Sequence, residues 1–342
     1  MIYRSIVELT GNTPLVQLKN HEPSAQSDIY LKLEWTNAGG SIKDRIALSM
    51  IEDAEAQGRL KPGMTIVESS SGNTAIGLAI LSAIRGYRFI AVCDRFLPPG
   101  KKYKLWAYGA SIAFLSETPE GEDTVEMRIE VARRIADQVP GAITLNQYDN
   151  RANQECHFRT TGRELLRDMN ERLDACVVSM GTCGSISGIG AALKAISGDV
   201  LVVGVEPFGS VIYGGEPGPY LVSGGGLSFV PGNLNRSVVD RAVKIADLDA
   251  FRAARDLART EGIMVGGTGG LVVRTCRDLA VELGPGKRIV GILPDSGDRY
   301  LESIYSDAWM REHGLPLAMH RDQTEPPLLA AIEKEGCTLD EY

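Results

Sequence analysis

The chain has 342 residues, 44% hydrophobic and 23% charged, enough for an ordered core and for two domains of ordinary size. Its 36 basic and 44 acidic residues leave a net charge of -8, without a basic run longer than a pair or so. That argues against nucleic acid or an anionic membrane as the main partner, but not against a small anionic ligand. The six scattered cysteines form no C-x-x-C pair and only four histidines occur, so neither a disulfide framework nor a metal site is expected. The N-terminus lacks an apolar signal core and no apolar run reaches membrane length, so a cytoplasmic protein with free thiols is expected.

In chain order, an N-terminal piece over residues 6–33 ends in an apolar strand at 29–33. The stretch Asn37-Ala38-Gly39-Gly40-Ser41-Ile42-Lys43-Asp44-Arg45 then turns on two glycines and a serine into a helix running to Gln57. Ser41 is its expected N-cap, and Ile46, Met50, Ile51 and Ala54 make one apolar face. Lys43 falls in the first turn, where the helix dipole disfavours an ammonium, and a neutral amine is what a lysine needs to attack a carbonyl. An exposed lysine on a surface helix is the plain alternative.

Further apolar runs at 65–67, 89–93, 111–115, 142–145, 175–178, 201–205 and 288–293 alternate with helical periods at 73–85, 102–108, 124–138, 157–169, 185–196, 248–261 and 269–283. Such alternation predicts an α/β protein with parallel sheets covered by helices on both faces. A smaller domain over 41–145 is expected to be inserted into a larger one built from 1–40 plus 146–315, with a peripheral tail over 316–342. The glycine-rich stretch 209–232 reads as a functional loop, because structured segments flank it.

Several turns between strand and helix carry polar groups. Ser69-Ser70-Ser71-Gly72-Asn73-Thr74 offers hydroxyls and an amide, more than capping the next helix requires. Asn146-Gln147-Tyr148 lies just past a strand, where open α/β sheets place ligand groups. Gly181-Thr182-Cys183-Gly184-Ser185-Ile186-Ser187-Gly188 links a strand to a helix N-terminus and could hold a phosphate on backbone N–H groups, or be a tight βα turn and no more. It is neither a Walker loop nor a dinucleotide fingerprint. Thr268, in Gly266-Gly267-Thr268-Gly269-Gly270, could cap a helix or bond a ligand.

With Thr10-Gly11-Asn12-Thr13-Pro14-Leu15 and Ile292-Leu293-Pro294-Asp295, these stretches occur in the order seen in the cysteine synthase and cystathionine β-synthase family. The chain resembles that family over roughly residues 6–310. The resemblance implies the tryptophan-synthase-β fold (pyridoxal-phosphate fold type II), with two open, mostly parallel twisted sheets flanked by helices, and a homodimer. It also implies pyridoxal 5'-phosphate as cofactor, carried covalently by Lys43. Gly181, Thr182, Cys183, Gly184 and Ser185 would cradle its phosphate, with Cys183 replacing the usual glycine, and Asn73 would bond the pyridine 3-oxygen. Thr268 falls where the family usually has a serine on the ring nitrogen, a neutral partner that makes the ring a weaker electron sink. Ser70, Ser71, Gly72, Thr74 and Gln147 would grip the substrate carboxylate. The implied reaction is β-replacement on an activated serine through an aminoacrylate, with Lys43 as the base for the α-proton.

The stretches 146–150, 209–217, 294–301 and 305–309 look closer to one branch, the N-(2-amino-2-carboxyethyl)-L-glutamate synthases. That branch joins O-phospho-L-serine and L-glutamate on the way to 2,3-diaminopropionate for siderophores or peptide antibiotics. Arg128 falls where the branch has an arginine implicated in substrate binding, and Tyr148 directly follows Gln147. Arg128 could equally be a solvated neighbour of Glu126 and Glu130. A cysteine synthase using O-acetylserine or O-phosphoserine with sulfide is the alternative activity.

Overall fold

The computed structural model describes residues 2–19, 27–94, 97–115 and 124–315, together with Lys334. In chain order the elements are β1 (Leu15–Gln17), β2 (Asp28–Leu33), α1 (Lys43–Ala56), β3 (Thr65–Ser69), α2 (Asn73–Arg85), β4 (Arg88–Cys93), α3 (Pro99–Ala107), β5 (Ser111–Phe114), α4 (Thr124–Gln138) and β6 (Ala142–Thr144). There follow α5 (Arg151–Arg159), α6 (Thr161–Asp168), β7 (Ala175–Ser179), α7 (Gly184–Lys194), β8 (Leu201–Pro207), β9 (Arg241–Ile245), α8 (Asp247–Glu261), α9 (Gly267–Leu283), β10 (Arg288–Leu293) and α10 (Asp307–Glu312).

The strands form a six-stranded sheet, ordered β1-β2-β10-β7-β8-β9, and a four-stranded sheet, ordered β5-β4-β3-β6. Every pairing is parallel except that of β1 with β2. Strands buried on both faces carry continuous apolar runs, as β10 does in Ile289, Val290, Ile292 and Leu293, all fully buried. In sequence the four-stranded sheet falls between β2 and β7 of the larger one. Ile46, Met50, Ile51 and Ala54 of α1 are buried in one core with Ile66, Leu78, Phe89 and Leu105; Leu165, Val178, Ile186, Val202 and Val290 form another.

The chain divides into two compact units, residues 1–299 and 300–342, and both sheets belong to the first. In the second, Ser306 caps α10 by accepting the Trp309 N–H, and the rings of Trp309 and His313 stack 4.0 Å apart. The expected tail over 316–342 lies outside the described residues, Lys334 excepted. Among the described residues, no helix is long and apolar enough to cross a membrane.

The expected helix over 157–169 is two helices, α5 and α6, which meet at Thr160. The Thr160 hydroxyl donates to the Cys156 carbonyl at 2.7 Å, and its backbone leaves helical geometry at φ -114 and ψ -82. β1 and β9 escape a periodicity reading because they are short edge strands of mixed polarity. The turns that carry the polar motifs follow the carboxyl ends of β2, β3, β6, β7 and β10, the end where open α/β sheets place ligands.

Candidate active site

Lys43 is the first residue of α1. Ser41 stands one residue outside the expected cap position, which Ile42 occupies, and accepts the Lys43 N–H at 3.2 Å. The turn before it is fixed from several sides. Asn37 accepts the Gly11 N–H at 2.7 Å and donates to the Ser41 carbonyl at 3.2 Å, while the Gly39 N–H donates to Asp44 at 2.7 Å. Two residues on, Arg45 pairs with Glu34 at 2.7 Å and with Glu164 at 2.6 Å, and Lys32 reaches Glu164 at 2.9 Å. These buried charges balance and bind α1 to β2 and α6. Lys43 itself is partly buried. Burial pulls its amine below the usual lysine range, opposed by the negative charge of Asp295.

In the turn after β3, Ser70 accepts the N–H groups of Gly72 and Ala75, both at 3.2 Å, so its oxygen opens α2. Ser71 donates to Asp94 at 3.1 Å. Thr74 donates to the Gln147 side-chain oxygen at 2.6 Å, and the Gln147 amide donates to the Ser69 carbonyl at 3.0 Å. A methyl group built at Gly72 would meet nothing within 4 Å, so this turn faces open space.

Gln147 is held in turn by Glu68, whose carboxylate accepts the N–H groups of Asn146 at 2.9 Å and Gln147 at 3.0 Å. Burial raises the Glu68 carboxyl to about 7, against those same N–H groups. A glutamate within an apolar strand was the available signal for this role, but the expected strand stopped at Val67 while β3 runs to Ser69.

Asn73 opens α2 with its amide donating to Asp295 at 2.8 Å and its oxygen accepting from Arg299. Asp295 and Arg299 lie in the stretches 292–295 and 294–301, where the sequence alone assigns neither a role.

After β7, Cys183 is the N-cap of α7 at φ 62 and ψ 0, a left-handed conformation that favours glycine. Its thiol is buried and pushed up to about 12, chiefly by burial, so it is neutral. No side chain caps α7 among the described residues, which leaves the N–H groups of its first turn, including those of Gly184 and Ser185, for an anion. Thr182 accepts from the Asn153 amide at 3.2 Å. The glycines have a packing reason as well: a methyl group at Gly184 would lie 1.9 Å from the Asn153 side-chain oxygen, and one at Gly188 would lie 2.1 Å from the Gln154 carbonyl. So α7 rests on α5 at backbone distance.

The stretch 209–232 packs against the turn after β7. The Gly226 N–H donates to the Met180 carbonyl at 2.7 Å, and a methyl group at Gly181 would lie 2.9 Å from the Gly224 carbonyl. Thr268 is buried at the start of α9, with its methyl 3.1 Å from where a Gly225 side chain would begin. Gly266 holds the cap position there without a side-chain bond, so the Thr268 hydroxyl is not the helix cap.

Arg128 is 7% exposed, not solvated, and donates to Asp94 at 3.3 Å. Its Nε is buried with no hydrogen-bond partner among the described residues. Asp94 thereby links Arg128 to Ser71. Tyr148 is buried in the core that holds Met180, Cys183 and Ile186, its ring 5.6 Å from that of Phe229.

A family described as pyridoxal-phosphate dependent enzyme matches residues 6–295. A cysteine synthase of Staphylococcus aureus (strain N315) is 40% identical over 305 residues, covering 88% of this chain and 97% of that protein. An N-(2-amino-2-carboxyethyl)-L-glutamate synthase of Ralstonia nicotianae is 40% identical over 310 residues, covering 91% of this chain and 92% of that one. Among solved structures, an O-ureido-L-serine synthase superposes with a TM-score of 0.84 at 37% identity, covering 91% of this chain and all of the other.

Proposed function

The chain belongs to the pyridoxal-phosphate dependent enzymes, as a β-replacing synthase of the cysteine synthase group, and on that premise we propose that it joins O-phospho-L-serine to L-glutamate. The products would be N-(2-amino-2-carboxyethyl)-L-glutamate and phosphate. When bound, pyridoxal phosphate supplies the electron sink that lets a serine derivative lose its α-proton and then its β-substituent.

The residues present fit that cofactor. The uncapped N-terminus of α7 is an anion cradle for its phosphate. Lys43, its amine shifted toward the neutral form by burial, would hold the cofactor at its carbonyl carbon. The same amine would serve as the base for the substrate α-proton. Asn73 has a second N–H that would serve the ring oxygen, and Thr268 would offer the ring nitrogen an uncharged hydroxyl. Ser70, Ser71, Gly72, Thr74 and Gln147 receive the substrate carboxylate, with Thr74 and Gln147 locked together so that the turn is preorganised.

One observation carries the choice of donor. Arg128 is buried and linked to Ser71 through Asp94, and its Nε has no hydrogen-bond partner among the described residues, an arrangement that suits an anionic group. The phosphate of O-phospho-L-serine supplies one. Cysteine synthase is the second reading, supported by Asp94, which already neutralises Arg128 and so accommodates an uncharged donor such as O-acetyl-L-serine. Arg128→Ala is expected to lower kcat/KM for O-phospho-L-serine about tenfold or more, the loss of one charge-assisted hydrogen bond. Use of O-acetyl-L-serine should change little. Equal losses on both donors would contradict the phosphate role.

A cytoplasmic homodimer is part of the same proposal, with the two sheets as two lobes and the one over 41–145 closing on substrate. The five described cysteines are free and buried, as fits a reducing compartment. The product would feed 2,3-diaminopropionate to siderophore or peptide-antibiotic assembly.

A further inference from the structure

The segment after β10 grips the two sides of the site at once. Asp295 forms an antiparallel bridge with Ser41, and the Ile42 N–H donates to the Pro294 carbonyl at 2.9 Å, directly before Lys43. Four residues later, Arg299 divides its guanidinium between the Asn73 side-chain oxygen and the Gly39 carbonyl. The fit is close. A methyl group at Gly40 would lie 2.6 Å from the Arg299 Nη2 and displace it, and Gly40 sits at φ +84, a conformation that favours glycine. Lys104 reaches the same Gly39 carbonyl from α3 at 3.4 Å.

The consequence falls on Asn73. A carboxamide has one oxygen and two N–H donors. With the oxygen held by Arg299 and one N–H given to Asp295 at 2.8 Å, the amide plane is fixed and one N–H remains to be offered. Reversal of the amide would set its N–H groups against a guanidinium and its oxygen against a carboxylate, so the orientation is strongly determined. The guanidinium suits this task because its planar fork serves two acceptors in fixed geometry, which an ammonium cannot do.

We propose that Arg299 and Asp295 are positioning residues that set the Asn73 amide in register with the Lys43 turn, so that the remaining Asn73 N–H and the Lys43 amine address one bound group together. This rests on the proposed placement of the cofactor ring oxygen at Asn73. A hydrogen bond to that oxygen tunes the absorbance of the bound cofactor, so the clamp has a spectroscopic readout separate from activity.

The test is a cycle of Arg299→Ala, Asn73→Ala and the double variant, each purified as holoenzyme. The visible cofactor band, its pH dependence and the melting temperature would be recorded beside kcat. Arg299→Ala is expected to shift the band in the same direction as Asn73→Ala and to lower kcat about tenfold, with the double variant no worse than Asn73→Ala alone. Arg299→Lys, which keeps the charge on the Gly39 carbonyl without the fork, should regain the melting temperature but not the band. It also serves as the probe if the alanine variant does not fold. Additive losses, or a wild-type band in Arg299→Lys, would overturn the clamp. If Asn73→Ala itself left the band unmoved, the placement of the cofactor at Asn73 would fall and take the clamp with it. A band moved by Asn73→Ala but by neither Arg299 variant would remove the clamp alone.

Discussion

Single residues here work through their protonation and their neighbours more than through their identity. Glu68 shows this. Its carboxyl ordinarily titrates at 4.5 but stands near 7 in the folded chain, because burial outweighs the two N–H groups it accepts. The folded state therefore binds the extra proton across that window, and stability falls as pH rises through it, by on the order of 3 kcal/mol at most. Glu68→Gln removes this dependence. Its melting temperature, measured against wild type from about pH 4.5 to about 7, should gain steadily on wild type as pH rises, and a constant gap would show that Glu68 titrates normally. Lys43 and the glycine turn before it were legible in the sequence because a helix start has a local signature. Arg128 was legible only as a choice between solvent and substrate, since burial of one residue on an amphipathic helix depends on what packs above it. Glu68, Asp295 and Arg299 acquired roles only in three dimensions, where their partners lie 78, 222 and 226 residues away.

At the scale of elements, α1 is set by charges and α7 by the absence of side chains. Glu164 of α6 joins Arg45 and Lys32, and although burial alone would raise its carboxyl, those cations hold it down to about 2. Its contribution is present above its ordinary value of 4.5 and is lost as pH falls toward about 2. Glu164→Gln should cost about 3–5 kcal/mol near neutrality by leaving buried cations uncompensated. Denaturant titrations should show that cost shrinking in acid, and a cost independent of pH would contradict the ion-pair origin. For α7, Gly188→Ala drives a methyl group to 2.1 Å from the Gln154 carbonyl and 2.7 Å from the His157 Cβ. It is expected to destabilise by about 1–3 kcal/mol as α5 and α7 separate, measurable as a fall in the denaturant midpoint; an unchanged midpoint would mean that the helices have slack. Helices with full amphipathic periods, such as α2 and α4, were read to their ends. The division of α5 from α6 was not, because a hydroxyl returning to the preceding turn at Thr160 leaves no mark on hydrophobic spacing.

Over the whole molecule, one topology gathers distant loops. Parallel strands in both sheets direct their carboxyl ends, and the polar turns that follow them, to sites where a ligand can be held. The α/β class and the parallel sheets were legible from alternating patterns. The strand order was not, because β10 is inserted between β2 and β7, a pairing fixed by packing rather than by neighbourhood in sequence. That insertion delivers the segment 294–299 to the Lys43 turn. The reaction class follows from family membership, while the acceptor is the central proposal. It is tested most directly by incubating the holoenzyme with O-phospho-L-serine and equal concentrations of L-glutamate and sulfide, and resolving the products by mass spectrometry. N-(2-amino-2-carboxyethyl)-L-glutamate as the dominant product is the expected result; cysteine as the dominant product would contradict it and establish a cysteine synthase.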